Sequence, residues 1–410
     1  MIKILMFGWE YPPNITGGLG TTCYELTKAL TGKGVGINFV MPQSIEGNGL
    51  HASGQSIIKI AQKSKENLLH TLSDLHHLLS IPSKLSPYAL QPDLSTVEQE
   101  QALNNQLQSE LDHFTTSSSS AIKGLDYDLI HAHDWPTYGA ALQAQKVSHK
   151  PLILHVHSTE ADRRGNHMNR LIFELEKAGF TMADNIITVS NYTKNTLIDH
   201  YQVDPEKIEV IYHGVPSGFD NSERTANLPE FNEKIITFCG RITWQKGPSY
   251  FVNAAFKLAE ENDQIRFIMA GDGDLREEMI ELTADLGLSR RFHFPGFLTR
   301  EEVKRLWQIS DLLVMPSVSE PFGLTALEAM AAGVPVIISR QSGISELFPH
   351  ILKADYWETH TLATLIHQLI NDPQMIAQQK EKNQTQLARL SWTTSAEQII
   401  KLYHSLKPRL

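Results

Sequence analysis

Cysteine is scarce in this chain of 410 residues, with Cys23 and Cys239 the whole supply. Two thiols so far apart build no disulfide framework and lack metal-ligand spacing. Cys239, in the apolar run Ile-Ile-Thr-Phe-Cys, reads as a small buried side chain of a strand. Positive charge is also in deficit, with 36 Lys and Arg against 46 Asp and Glu for a formal −10. A nucleic-acid binder needs a basic face to displace counterions from phosphates, so that class is set aside. The deficit is even: 16 basic and 22 acidic groups in residues 1–210, then 20 and 24 in the rest. Neither half is a dedicated polybasic membrane module, though contact through a local patch stays open. Missing too is any run of about 18 uncharged apolar residues able to span a bilayer; even the stretch 326–339 carries Glu328. The opening Met-Ile-Lys-Ile-Leu-Met-Phe is shorter than a signal-peptide core. These absences predict a cytoplasmic protein with no transmembrane segment and no nucleic-acid partner.

What is present is alternation. Short apolar runs at 2–7, 37–41, 127–131, 151–156, 185–189 and 208–212 are separated by amphipathic stretches, and so are those at 234–239, 265–270, 291–295, 311–315 and 334–338. Runs such as Asp-Leu-Leu-Val-Met lack alternation, as strands covered on both faces do. Two such arrays predict an α/β chain of two doubly wound domains, 1–213 and 214–393. Gly214, Pro216, Gly218 and Pro229 interrupt the periodicity at their junction. A last helix over about 394–407 has an apolar face at Ala396, Ile399, Ile400 and Tyr403. Residues 44–124 depart from the pattern. Leu68, Leu69, Leu72, Leu75 and Leu79 predict one amphipathic helix there, and Val97, Leu103, Leu107 and Leu111 a second. Thr115–Ser120 reads as a polar, mobile loop. His70, His76, His77 and His113 match no common ligand spacing and read as solvated.

The residues with chemistry sit where apolar runs end. The first run leads to Gly17-Gly18-Leu19-Gly20 and then a helix, a turn whose bare amides let an anion or a sugar approach. Its spacing is a poor dinucleotide fingerprint, and a merely structural turn is an equal reading. The third run closes in His131-Ala132-His133-Asp134-Trp135 and the fourth in His155-Val156-His157. Paired histidines on a strand face suggest zinc, but no helix-borne ligand set accompanies them, so a ligand crevice is favoured. In the second array, Gly240-Arg241 and Lys246-Gly247 place two cations five residues apart, suited to a diphosphate, though by themselves they read slightly better as a solvated loop. The Asp272-Gly273-Asp274 sequence reads as a turn beside the ligand and not as a metal site. The most specific pattern is Glu320-Pro321-Phe322-Gly323-Leu324-Thr325 running on to Glu328. A strand delivers Glu320, the turn starts a helix whose first amides receive phosphate oxygens, and Glu328 lies in reach of a ribose diol.

Together these motifs resemble glycosyltransferase family 4, the retaining GT-B enzymes that include glycogen and starch synthases, and the Asp134-Trp135 form is similar to the synthase branch. The resemblance covers nearly the whole chain. It implies two Rossmann-like domains facing a deep cleft, with the final helix (394–410) crossing back to the first domain. It also implies roles. Arg241 and Lys246 would neutralise the donor diphosphate, helped by the amides of Gly323, Leu324 and Thr325. Glu328 would hold the ribose, Glu320 and His157 the transferred sugar, and Gly18, His133, Asp134 and Trp135 would lie on the acceptor side. The implied reaction is hexose transfer, glucose by preference, from UDP- or ADP-glucose to a saccharide or glucan, with no metal and no cofactor. Alternatives are an envelope polysaccharide or glycolipid transferase of the same family and a non-catalytic carbohydrate- or nucleotide-binding module. One departure stands out: Ile15 replaces the lysine usual in synthases two residues before the glycine pair, which puts ADP-glucose in question. Residues 44–124 are the expected acceptor lid.

Overall fold

The computed structural model describes residues 1–11, 17–43, 56–57, 75, 77–83, 97–219, 232–261 and 263–406. Ile15, His70, His76, Leu68, Leu69, Leu72 and Pro229 lie outside them, as does most of 44–96. The chain forms two compact units, one of 1–161, 165–214 and 391–410, the other of 162–164 and 215–390.

In the first unit the strands are β1 (Lys3–Phe7), β2 (Gly36–Gln43), β3 (Ser56–Ile57), β4 (His77–Pro82), β5 (Leu129–His133), β6 (Leu152–Val156), β7 (Asn185–Thr188) and β8 (Ile208–Val210). They form one sheet in the order β3-β4-β2-β1-β5-β6-β7-β8. Among the described strands of this sheet only β3 runs antiparallel, against β4. Successive side chains of a strand point to opposite faces, so β1 feeds two cores at once. Leu5 and Phe7 enter one, while Ile4 and Met6 enter the other. That second core also receives Leu19, Cys23, Leu26 and Leu30 of helix Gly18–Gly32 and Ala396, Ile399, Leu402 and Tyr403 of helix Trp392–Leu406.

Two expectations for the irregular segment are corrected. Leu79 lies in strand β4, paired to β2 with Leu79 opposite Val40, and not in a helix. A spacing of four fits a strand as well as a helix, because four is a multiple of two. Thr115–Ser120 is the last part of helix Val97–Ala121 and not a loop. Leu107, Leu111, Phe114, Ser118 and Ile122 share its buried face. The Ser119 hydroxyl donates to the Thr115 carbonyl at 2.9 Å, so this polar residue is satisfied within the helix.

The strands of the second unit are β9 (Lys234–Cys239), β10 (Ile265–Ala270), β11 (Phe292–Gly296), β12 (Leu312–Met315), β13 (Val336–Ser339) and β14 (Leu352–Ala354). All are parallel, in the order β11-β10-β9-β12-β13-β14. In each sheet the order reverses beside its first strand, between β1 and β5 and between β9 and β12. Loops leaving such neighbours diverge and open a crevice at the carboxyl edge. No helix among the described residues is long and apolar enough to cross a membrane.

Candidate functional site

In the first unit the carboxyl edge presents the glycine loop and a block of histidines. Gly17 caps its helix without a side chain, Gly18 is exposed, and the Gly20 amide donates to Glu10 Oε2 at 3.1 Å. Asp134, just past β5, has a left-handed backbone with φ 57°. It joins two strand ends: its Oδ1 accepts the His157 amide at 2.7 Å, and its own amide donates to the His155 carbonyl at 3.1 Å. Trp135 belongs to the apolar core; its indole is a packing group and not an exposed surface for an acceptor.

His131, His133, His155 and His157 stand as a two-by-two block. Along each strand the rings stack, with centroids 4.6 Å apart for His131/His133 and 4.3 Å for His155/His157. Across the strands they bond, His131 Nε2 to His155 Nδ1 at 3.3 Å and His133 Nδ1 to His157 Nε2 at 2.9 Å. Tyr403 OH closes one end on His131 Nδ1 at 2.6 Å. His213 closes the other, between His157 at 5.3 Å and Trp392 at 5.3 Å. Burial penalises the imidazolium, so all five rings are held neutral. His133 and His213 are pushed down to about 3, and His131, His155 and His157 well below the usual range, with neighbouring imidazoles adding to the effect of burial for all but His133. Among the described residues, His157 Nδ1 has no hydrogen-bond partner.

In the second unit, the loops after β9 and β12 meet through backbone contact. Gly247 has φ 65°, and a Cβ there would lie 2.2 Å from the Pro316 carbonyl oxygen. The Val318 amide donates to the Gln245 carbonyl at 2.9 Å. This approach brings Lys246 Nζ to 2.5 Å from Glu320 Oε2, with the two side chains 20% and 8% exposed. Ser317 Oγ donates to the same oxygen at 3.3 Å. Glu320 is also held by its main chain, its amide donating to the Gln341 carbonyl and its carbonyl accepting from Gly343. Arg241 donates to Gln245 Oε1 at 3.1 Å.

Gly323, with φ 116°, caps helix Leu324–Ala331, and no side chain caps that end. Its first amides, at Leu324 and Thr325, precede the hydrogen-bonded ladder and carry the positive end of the helix dipole. Half-buried Glu328 follows on this helix. Burial pushes its carboxyl up to about 7 against the pull of Arg300. Glu328 helps push the Cys239 thiol up to about 12, which puts the carboxyl within electrostatic reach of the end of β9. The Asp272–Asp274 turn folds onto the loop after β9, with the Ile242 amide donating to the Asp272 carbonyl at 2.9 Å.

Sequence reasoning missed Tyr403, His213, Trp392, Gln245, Ser317 and Arg300. For Tyr403, 272 positions from its histidine, no local signal exists. Gln245 lies between Arg241 and Lys246 and Ser317 three residues before Glu320, but their role depends on which loops meet.

Two doubly wound sheets, each with polar groups at its carboxyl edge, are the architecture of the GT-B fold. The family model described as Glycosyltransferase Family 4 matches residues 16–218, and that described as Glycosyl transferases group 1 matches 220–386. The chain belongs to glycosyltransferase family 4 and is a transferase. An uncharacterized glycosyltransferase of Methanocaldococcus jannaschii is 29% identical over 85% of this chain and 83% of its own length. Glycogen synthase of Mycobacterium tuberculosis is 24% identical over 84% and 80%. Among solved structures, sucrose-phosphate synthase from Thermosynechococcus elongatus shares the fold with a TM-score of 0.78 at 20% identity, covering 99% of both chains. HepE of Anabaena, in complex with UDP and glucose, has a TM-score of 0.67 at 20% identity, over 99% of this chain and 100% of its own.

Proposed function

We propose that this protein is a retaining, metal-independent hexosyltransferase of the cytoplasm, glycogen synthase-like, moving glucose from a nucleoside diphosphate to a saccharide hydroxyl. The observation that carries the reading is the Lys246–Glu320 pair at the ends of adjacent strands β9 and β12, beside the uncapped helix that bears Glu328. Similarity to glycogen synthase and to a protein solved with UDP-glucose supports it.

In this mechanism the bond from the anomeric carbon to the β-phosphate oxygen breaks, leaving an oxocarbenium-like sugar and growing negative charge on the diphosphate. Lys246 and Arg241 meet that charge, with the Leu324 and Thr325 amides adding fixed dipoles. Glu328 accepts the two ribose hydroxyls. Glu320 and His157 Nδ1 bond the transferred sugar, Gly18 serves the acceptor side, and buried His133 and Asp134 hold the His157 ring and amide in place. The acceptor oxygen attacks from the face the phosphate leaves, and its proton passes to a phosphate oxygen. Fixed cations supply the electrophilic help. The stacked histidines suit a shared ion poorly, because nearly parallel rings send their in-plane lone pairs side by side. Ligand atoms of His131, His133 and His155, and of His155, His157 and His213, lie within 4.8 Å; a tetrahedral zinc with bonds of about 2.0 Å needs them roughly 3.3 Å apart and convergent.

Purified protein incubated with UDP-, ADP- and GDP-glucose, with and without glycogen, tests the reading. Nucleotide release that rises with glycogen, an α-anomeric product by NMR and full activity in EDTA are the expected results. Release only with a lipid-linked acceptor, an inverted product or complete metal-reversible inhibition would each overturn the corresponding part.

A further inference from the structure

Beside the loop that carries Lys246, the second unit exposes an aromatic group that the proposed chemistry does not use. Trp357 is 56% exposed in the turn after β14. Its indole stands on Tyr356 at 4.7 Å and 88°, and Tyr356 stands on Tyr250 at 5.0 Å and 61°. Tyr250 lies on the first turn of helix Pro248–Glu261, its amide donating to the Gly247 carbonyl at 3.1 Å. The three rings therefore lead away from the Lys246-Gly247 turn.

The turn itself is closed by hydrogen bonds. The Asp355 amide donates to Glu358 Oε2 at 3.2 Å, the Glu358 amide to the Asp355 carbonyl and the Thr359 amide to the Trp357 carbonyl, both at 2.9 Å. Asp355 Oδ1 accepts from Gln341 Nε2 at 2.8 Å, and Asp355 Oδ2 lies 3.8 Å from Arg340 Nε. A 56% exposed indole in a hydrogen-bonded turn whose neighbouring residues carry carboxylate, amide and guanidinium groups is suited to stack on the C–H face of a pyranose while polar groups of that turn bond its hydroxyls.

We propose that Trp357, with Tyr356 and Tyr250 behind it, is a docking platform for a glucan chain, holding the polymeric acceptor on the second unit away from the reacting sugar. The proposal rests on the glucan-directed reading of the function. Size and charge select this occupant. One indole matches one sugar ring, whereas a stable protein partner needs roughly 800 Å² per side. A membrane surface needs a basic cluster, and here Arg340 and Lys353 are balanced by Asp355 and Glu358.

Native electrophoresis through gels containing glycogen, and tryptophan fluorescence titrated with maltoheptaose, test it. Trp357→Ala should bind glycogen about tenfold more weakly, the order of one lost stacking contact, and Trp357→Phe should retain most of the affinity. Initial rates with a short acceptor such as maltose should match wild type in both. Lys246→Ala separates this proposal from the catalytic one: the platform predicts normal retardation by glycogen without turnover. Retardation of Trp357→Ala equal to wild type, or Trp357-dependent sedimentation with anionic vesicles in place of glycogen binding, overturns the platform. Glycogen retardation of a protein that consumes no nucleotide sugar overturns the reaction and leaves the platform standing.

Discussion

A lysine ammonium 2.5 Å from a carboxylate that is 8% exposed is satisfied before any phosphate arrives. Donor binding on the proposed mechanism is therefore an exchange, in which Lys246 turns from Glu320 to the diphosphate and Glu320 keeps Ser317 and gains sugar hydroxyls. The phosphates carry more than one negative charge and draw the ammonium more strongly than a single carboxylate does. Lys246→Ala should lower kcat about a hundredfold, the loss of roughly 3 kcal/mol at the leaving group, in a nucleotide-release assay. Near-normal turnover would remove Lys246 from the mechanism. Glu328 sets a pH dependence. Its carboxyl, pushed up to about 7, is protonated below that pH and ionised above it, and the ionised form accepts both ribose hydroxyls. The donor KM should fall as pH rises through about 7, and a KM profile of Glu328→Gln should be flat there.

At the scale of the element, glycine turns decide whether the strand ends meet. Gly271 follows β10 with φ 133°, and a Cβ there would lie 1.8 Å from the Gly240 carbonyl oxygen. Gly271→Ala should therefore cost about 2–4 kcal/mol, since backbone would have to move, and thermal unfolding should show a Tm lower by several degrees. An unchanged Tm would mean that the loops after β9 and β10 tolerate separation. Most strands were legible because both sheets are covered on both faces, and their apolar runs are continuous. β3, β4 and β14 were not, and Ser56–Ile57 of β3 is only two residues long. The leucines of β4 fit either period, and Leu352–Ala354 is only three residues long. The serines of helix Val97–Ala121 misled for a related reason: composition suggested a loop, but Phe114 and Ile122 anchor a helical face on which Ser118 is buried.

At the scale of the molecule, the first unit contains five neutral imidazoles and is correspondingly sensitive to acid. His133 and His213 stay uncharged down to about 3, whereas in the unfolded chain they take up protons near 6.5. The unfolded state thus binds more protons between about 6.5 and 3, and stability is lost as pH falls through that window. Each such histidine contributes a slope of about 1.4 kcal/mol per pH unit. Against a total of roughly 5–15 kcal/mol, the unit should unfold near pH 4. Circular dichroism against pH checks this, and His133→Gln should flatten the slope by about one proton. An equally steep profile would show that His133 is already charged in the folded unit.

The sequence by itself determined the two α/β arrays, their strand-end motifs and the membership in glycosyltransferase family 4, because each is written in consecutive residues whose spacing fixes strand, turn and helix. Only the tertiary structure decided which of those motifs touch. The Lys246–Glu320 pair, the Tyr403–His131 contact and the block of neutral histidines join residues 74, 272 and 24 positions apart. No local preference encodes such pairs. They follow from sheet order, from the glycines that allow two backbones to approach, and from a burial deep enough to strip the imidazoles of charge.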